Sequence, residues 1–254
     1  MECPKAVLFD FDDTLAPSFE PPSAEMVSRV SLLIQRMPVA IVTGRDFAWM
    51  DRDFLPRVAT ADHTERFYVM PEGAAQCFVW SGRAWKEMYG HSLGEKDRGH
   101  IEKVILECVR KTGVLEGLPV FGPQFVHRKA AVAFAALGWQ VPRDLRHTWD
   151  PGNVRRTALR DSIARELPGF DVLMGGSTTI DVTKKGINKS CGVLWLSEHL
   201  RIQPQEMLYV GDTLFPGGND YVVIPTGVQT RETNGPEQTL SIIGEVLAAC
   251  APSG

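Results

Sequence analysis

The sequence predicts an α/β protein: a parallel sheet covered on both faces, built from the two ends of the chain and interrupted by an α+β insertion. Three observations predict it. Short continuous apolar runs, in "KAVLFDF", "VAIVTG" and "FYVMPEGA", are separated by helix-like segments, as in parallel strands buried on both faces. From about residue 80 the texture turns polar and glycine-containing, in "SGRAWKEMYGHSLGEKDRGH". From about Lys184 the alternation returns, with "NKSCGVLWLSEHL" reading as a helix and "EMLYVG" as a strand. The expected division is a core of residues 1–80 and 181–254 around an inserted unit of residues 81–180.

Each element has its own signal. "KAVLFDF" is the first strand, and "SAEMVSRVSLLIQRM" is an amphipathic helix with Met26, Val27, Val30, Leu33 and Ile34 on one stripe. In the insertion, Ile101, Val104, Ile105, Cys108 and Val109 mark a second amphipathic helix. "QFVHRKAAVAFAALGWQ" reads as strand or hairpin. The loop after it ends in "DPGN", where Asp150 as N-cap and Pro151 in the first turn start a helix. That helix stops at Pro168 and Gly169, and "FDVLMGGSTTIDV" supplies two more strands. Arg155, Arg156, Arg160 and Arg165 are expected on the wet face of this helix, and Phe125, Phe134 and Trp139 in the core of the insertion.

Composition excludes some classes of function. Among 254 residues, 27 basic against 31 acidic side chains argue against a nucleic-acid surface, which shows a basic excess. No apolar run approaches the roughly 20 residues needed to span a bilayer. The first strand begins too close to Met1 to leave room for a signal peptide. The five cysteines are scattered without a CxxC pair and read as reduced thiols. A cytoplasmic protein is expected, with neither nucleic acid nor membrane as partner. None of the six histidines pairs at a metal-ligand spacing, which disfavours zinc.

The chemistry gathers at strand ends. In "VLFDFDDTLAPS" the strand runs straight into Asp10 and Asp12, which alternation puts on one face at its carboxyl end. Open parallel sheets bind ligands at that edge. Two such carboxylates repel unless one is protonated or a cation bridges them, and Mg²⁺ takes oxygen ligands of this kind. "VAIVTGR" sets Thr43 at a strand end before Gly44, so a hydroxyl and an approachable N–H can meet phosphate oxygens. "MLYVGDTLFPGGNDY" ends another strand on Asp212, and Gly217 and Gly218 let the chain return Asn219 and Asp220 to the same pocket. In "KKGINKS", Lys189 opens a helix that follows a strand and supplies the missing positive charge. Lys184 and Lys185 read as solvated or as contacts at the domain junction.

The order D-x-D-x-T, T-G, Lys, then G-D with a later N-D resembles the haloacid dehalogenase superfamily of phosphotransferases. The insertion between the second and third motifs matches its branch with a large α/β cap. "GDTLFPGGNDY" and "DVTKKGINKS" are similar to the eukaryotic-type phosphomannomutases and their bacterial phosphatase-like relatives. The resemblance implies a Rossmann-like core, with Asp10 as the nucleophile that forms an aspartyl-phosphate. Asp12 would be the acid for the leaving oxygen and then the base for water. Thr43, Gly44 and Lys189 would hold the phosphoryl oxygens. Mg²⁺ would be held by Asp10, the backbone carbonyl of Asp12 and Asp212, with Asp220 orienting Lys189 or a metal-bound water. The implied activity is a Mg²⁺-dependent phosphatase for a small phosphorylated metabolite, foremost a phosphosugar. A phosphohexomutase is the alternative, and a non-catalytic phosphate-binding domain the third reading. A homodimer stays open.

This chain departs from the mutases in two places. Asp13 stands where they carry glycine, and Trp139-Gln140 where they carry a glycine-arginine pair. Arg128, in "FVHRKAAVAF", is the remaining candidate for a distal phosphate, or an ordinary strand residue.

Overall fold

The computed structural model describes residues 2–18, 20–63, 65–175 and 177–251. Its first unit comprises Met1–Gly90, Lys189–Phe215 and Asp220–Gly254, and its second His91–Asn188 and Pro216–Asn219. The first unit carries strands β1 (Ala6–Phe9), β2 (Val39–Val42), β3 (Phe67–Met70), β4 (Gln76–Trp80) and β5 (Trp85–Gly90). The second carries β6 (Phe125–His127), β7 (Ala131–Ala135), β8 (Phe170–Gly175) and β9 (Thr179–Lys184). The chain then returns to the first unit with β10 (Met207–Gly211) and β11 (Gln229–Glu232).

The first sheet has the order β11-β10-β1-β2-β3-β4-β5, parallel from β11 to β3 and antiparallel at β4 and β5. Strands β1, β2, β3 and β10 are buried along their whole length, which is why they read as continuous apolar runs. Their side chains alternate between two cores. Val7, Phe9, Val39 and Ile41 pack under helices Ala24–Arg36 and Pro236–Ala249. Ala6, Leu8, Val42 and Tyr209 pack under helix Lys189–Leu200. The first helix forms as its periodicity predicts, and the Ser23 hydroxyl caps it by accepting the Met26 N–H (3.1 Å).

The boundaries expected at 80/81 and 180/181 move to 90/91 and 188/189. Strand β5, inside the polar stretch, pairs with β4 on the first sheet, whereas β9 pairs with β7 and β8. An edge strand needs only one apolar face, so β5 carries no continuous run to reveal it.

The second unit is an antiparallel sheet of order β6-β7-β9-β8 with helices Glu95–Thr112 and Val154–Glu166 packed on it through Ile101, Ile105, Leu159 and Ile163. The predicted hairpin is β6–β7, with Val126 opposite Ala133. The next helix starts at Val154 with Asn153 at its N-cap, three residues later than expected; the Asp150 carboxylate still accepts the N–H groups of Arg155 (2.8 Å) and Arg156 (3.0 Å) in its first turn. Two expectations fail here. Arg156 is buried, not wet, because it donates to the Gly175 carbonyl (3.0 Å) and pairs with Asp150 (3.8 Å). Trp139 lies at the surface, while Phe134 is buried and Phe125 packs beside it.

Cys3 and Cys250 form a disulfide, Cα to Cα 5.0 Å, which overturns the expectation of five reduced thiols. Helix Pro236–Ala249 lies on the same core as β1 and so brings the chain's last cysteine to its first. Cys77 and Cys108 are buried free thiols, and Cys191 is half-buried. Among the described residues, no helix is long and apolar enough to cross a membrane.

Candidate active site

Three adjacent parallel strands end on the chemistry. Asp10 follows β1, Thr43 follows β2 and Asp212 follows β10, so the sheet order β10-β1-β2 brings together residues about 170 to 200 positions apart in sequence. The Asp10 N–H donates to the Val210 carbonyl (2.9 Å), which holds it in register with β10. Lys189, the first residue of its helix, is buried and places Nζ 2.7 Å from both Asp10 Oδ1 and Asp220 Oδ1.

Asp220 is fully buried and saturated by donors. Oδ1 accepts from Lys189 and from the Tyr209 hydroxyl (2.5 Å); Oδ2 accepts from the Thr213 N–H (3.1 Å) and hydroxyl (2.8 Å). Gly211 makes the approach feasible, since a Cβ there would stand 2.5 Å from Asp220 Oδ2. At the turn before Asp220, Gly217 takes φ +93°, a left-handed conformation suited to glycine.

The electrostatics are unequal. Burial pushes the Asp10 carboxyl well above the usual range; Lys189 opposes this while Asp220 and Asp212 reinforce it. Burial, then the charge of Asp220, pushes Asp212 up to about 6. Burial also works against the Asp220 charge, but Lys189, Tyr209 and Thr213 hold its carboxyl below the usual range. Burial opposes the Lys189 charge too, yet Asp10 and Asp220 keep the ammonium above its ordinary value. Burial and the charges of Asp220 and Asp10 raise the Tyr209 phenol, so it stays a donor.

Asp10, Asp212 and Asp220 bring carboxylate oxygens within 4.8 Å of one another. Two buried carboxylates and a half-buried one against one ammonium leave excess negative charge, which fits a hard, oxygen-seeking cation such as Mg²⁺. Because Asp220 already accepts from four donors, Asp10 and Asp212 are the carboxylates suited to direct ligation. Asp220 is suited to orient Lys189.

The other predicted residues divide. The Thr43 hydroxyl is buried and accepts the Arg45 N–H (3.1 Å), which leaves its own proton to give; Gly44 follows it in the chain. The Asp12 carboxylate is gripped by both arms of the Arg45 guanidinium (Nε to Oδ2 2.9 Å, and Nη2 to Oδ1). Asp13 takes φ +56°, the conformation that favours the mutases' glycine, and accepts from the Ser18 N–H (2.9 Å) and hydroxyl (2.7 Å). Arg128 belongs to the second unit, where it faces Asp181 at 3.8 Å.

Sequence reasoning missed Arg45 and Tyr209. The signals were present: a cation directly after "TG", and one hydroxyl-bearing side chain in the apolar strand "MLYVG".

No protein-family model matches the chain. Similar proteins include the phosphomannomutase of Schizosaccharomyces pombe, 22% identical over 251 residues, covering 95% of this chain and 93% of that one. The phosphomannomutase of Spinacia oleracea is 22% identical over 247 residues and covers 94% of each chain. Among solved structures, an IMP-bound mutant of Plasmodium falciparum IMP-nucleotidase superposes with TM-score 0.75 at 18% identity, covering 96% of this chain and 68% of that one. The C-terminal domain of C. albicans trehalose-6-phosphate phosphatase gives 0.67 at 16%, covering 97% and 93%. A haloacid dehalogenase-like hydrolase from Bacteroides thetaiotaomicron gives 0.61 at 14%, covering 95% and 99%.

Proposed function

We propose that this chain, a haloacid dehalogenase superfamily protein with phosphomannomutase resemblance, is a Mg²⁺-dependent phosphatase for a small phosphorylated metabolite, foremost a phosphosugar. The observation that carries the reading is Lys189, held 2.7 Å from both Asp10 and Asp220 where β1 and β10 end. A buried ammonium beside a strand-end carboxylate is suited to the charge of a transferring phosphoryl group.

In this reading Asp10 attacks phosphorus and forms an aspartyl-phosphate, and Asp12 gives a proton to the leaving oxygen and later takes one from water. Lys189, the Thr43 hydroxyl and the Gly44 N–H hold the phosphoryl oxygens. Asp220, fixed by Tyr209 and Thr213, keeps Lys189 aimed at Asp10. Bound Mg²⁺ supplies the charge that lets Asp10 and Asp212 both stay ionised beside an incoming phosphate.

The full-length similarity to phosphomannomutases favours a second reading, phosphohexomutase. Hydrolysis is preferred because Arg128 already has an anionic partner in Asp181, and neutral Gln140 adds no charge for a distal phosphate. The test is incubation with mannose 1-phosphate or glucose 1-phosphate, Mg²⁺ and a hexose bisphosphate activator. Released inorganic phosphate should exceed hexose 6-phosphate. Sustained excess of the 6-phosphate would promote the mutase reading.

A further inference from the structure

We propose that Arg45 is a positioning residue for phosphoryl transfer: it fixes the Asp12 carboxyl so that its proton meets the leaving oxygen. The inference rests on the acid role given to Asp12 above.

The grip spans 33 residues of sequence and joins the turn after β1 to the turn after β2. Both guanidinium arms meet both carboxylate oxygens, a planar match that fixes orientation as well as distance. The guanidinium is itself held from behind. Its carbon lies 3.7 Å from the Trp49 ring centroid and 5.6 Å from that of Phe11. Phe11 meets Trp49 edge-on at 5.5 Å and packs on buried Phe54 at 5.2 Å. The Arg45 backbone is tied down too: its N–H donates to the Thr43 hydroxyl, and its carbonyl accepts the Glu72 N–H (2.9 Å). The pair is asymmetric, the Arg45 side chain 11% exposed and that of Asp12 29%. The cation is built into the scaffold and the carboxyl is the accessible end.

That arrangement suits proton delivery. As the Asp10 oxygen bonds to phosphorus, the bond from phosphorus to the leaving oxygen breaks. The electron pair stays on that oxygen, which takes the proton from Asp12. While one carboxyl oxygen carries the proton, the other still accepts from the guanidinium. Displacing a reacting group by about 1 Å costs on the order of 100-fold in rate.

The test compares phenyl phosphate with p-nitrophenyl phosphate in Mg²⁺. The two have nearly the same shape, but p-nitrophenolate leaves readily as an anion and phenolate needs the proton far more. kcat/KM is the measure, since it covers cleavage of the ester bond and not the later attack of water. Arg45→Ala should lower kcat/KM for phenyl phosphate on the order of 10- to 100-fold and change that for p-nitrophenyl phosphate only ~3-fold. Arg45→Lys keeps the charge without the fork and should recover little of the difference; it also carries the test if Arg45→Ala does not fold. Equal losses on both substrates, no loss on either, or full rescue by lysine would each overturn the role of Arg45. Asp12→Asn, measured in parallel, should show the same split. If it does not, or if the unaltered protein turns over neither ester, the functional reading itself falls.

Discussion

The second unit buries Asp150 with Arg156; the first buries Asp10 and Asp220 with Lys189 and sets half-buried Asp212 beside them. In the second unit the charges balance. The Asp150 carboxylate closes a helix start, and Arg156 donates to Asn153 and to the Gly175 carbonyl. Each of these partners belongs to the second unit itself. In the first unit the carboxylates outnumber the cation, and two of them, Asp10 and Asp212, are driven towards protonation by burial. A balanced buried pair serves the fold, whereas an unbalanced cluster at strand ends calls for a ligand of opposite charge.

The largest expected effect follows from removing the proposed nucleophile. Asp10→Asn should keep the fold and lower turnover about 10⁴-fold or more, because an amide cannot form the acyl phosphate. Near-wild-type rates in a well-folded Asp10→Asn protein would falsify the mechanism.

Next comes the balanced pair. Asp150→Ala should destabilise the protein by about 3–5 kcal/mol in urea unfolding, since it strands a buried guanidinium. Turnover per folded molecule should stay the same. A change in kcat with unaltered stability would reverse the contrast between the two clusters.

The smallest effect concerns pH and metal. Asp212 is raised to about 6 in the folded protein from an ordinary 3.8. A raised carboxyl favours the folded state while protonated. Its contribution to metal-free stability is therefore full below the unfolded value and is lost as pH rises through about 6. Mg²⁺ competes with that proton, so its half-saturating concentration should rise about tenfold per pH unit below that point. Titration calorimetry from about pH 5 to about pH 7 measures this, and pH-independent affinity would remove Asp212 from the metal site. Asp212→Asn should abolish the stabilisation by Mg²⁺ while making the metal-free protein more stable near neutral pH.

Much of the site was legible because its residues lie at the ends of recognisable elements. Asp10, Thr43 and Asp212 each terminate an apolar run, and Lys189 opens a helix. Tyr209 was hidden inside such a run: it packs on the Lys189–Leu200 side of the sheet with Met207 and Leu8, and its hydroxyl reaches Asp220. Arg156 was misplaced because helix Val154–Glu166 carries charge around most of its circumference, so periodicity could not say which arginine turns inward. Strand β5 was missed because its exposed face made it look like a loop.

The sequence by itself determined the α/β class, the two-part organisation and the strand-end carboxylates. These follow from the local period of apolar residues and from the charge that ends each run. Tertiary structure decided the pairings: Arg45 with Asp12, Tyr209 with Asp220, Asp150 with Arg156, and Cys3 with Cys250 across 247 residues. Local patterning chooses an element and its inward face. Which side chains then meet depends on sheet order and register, and those are set by packing the elements together.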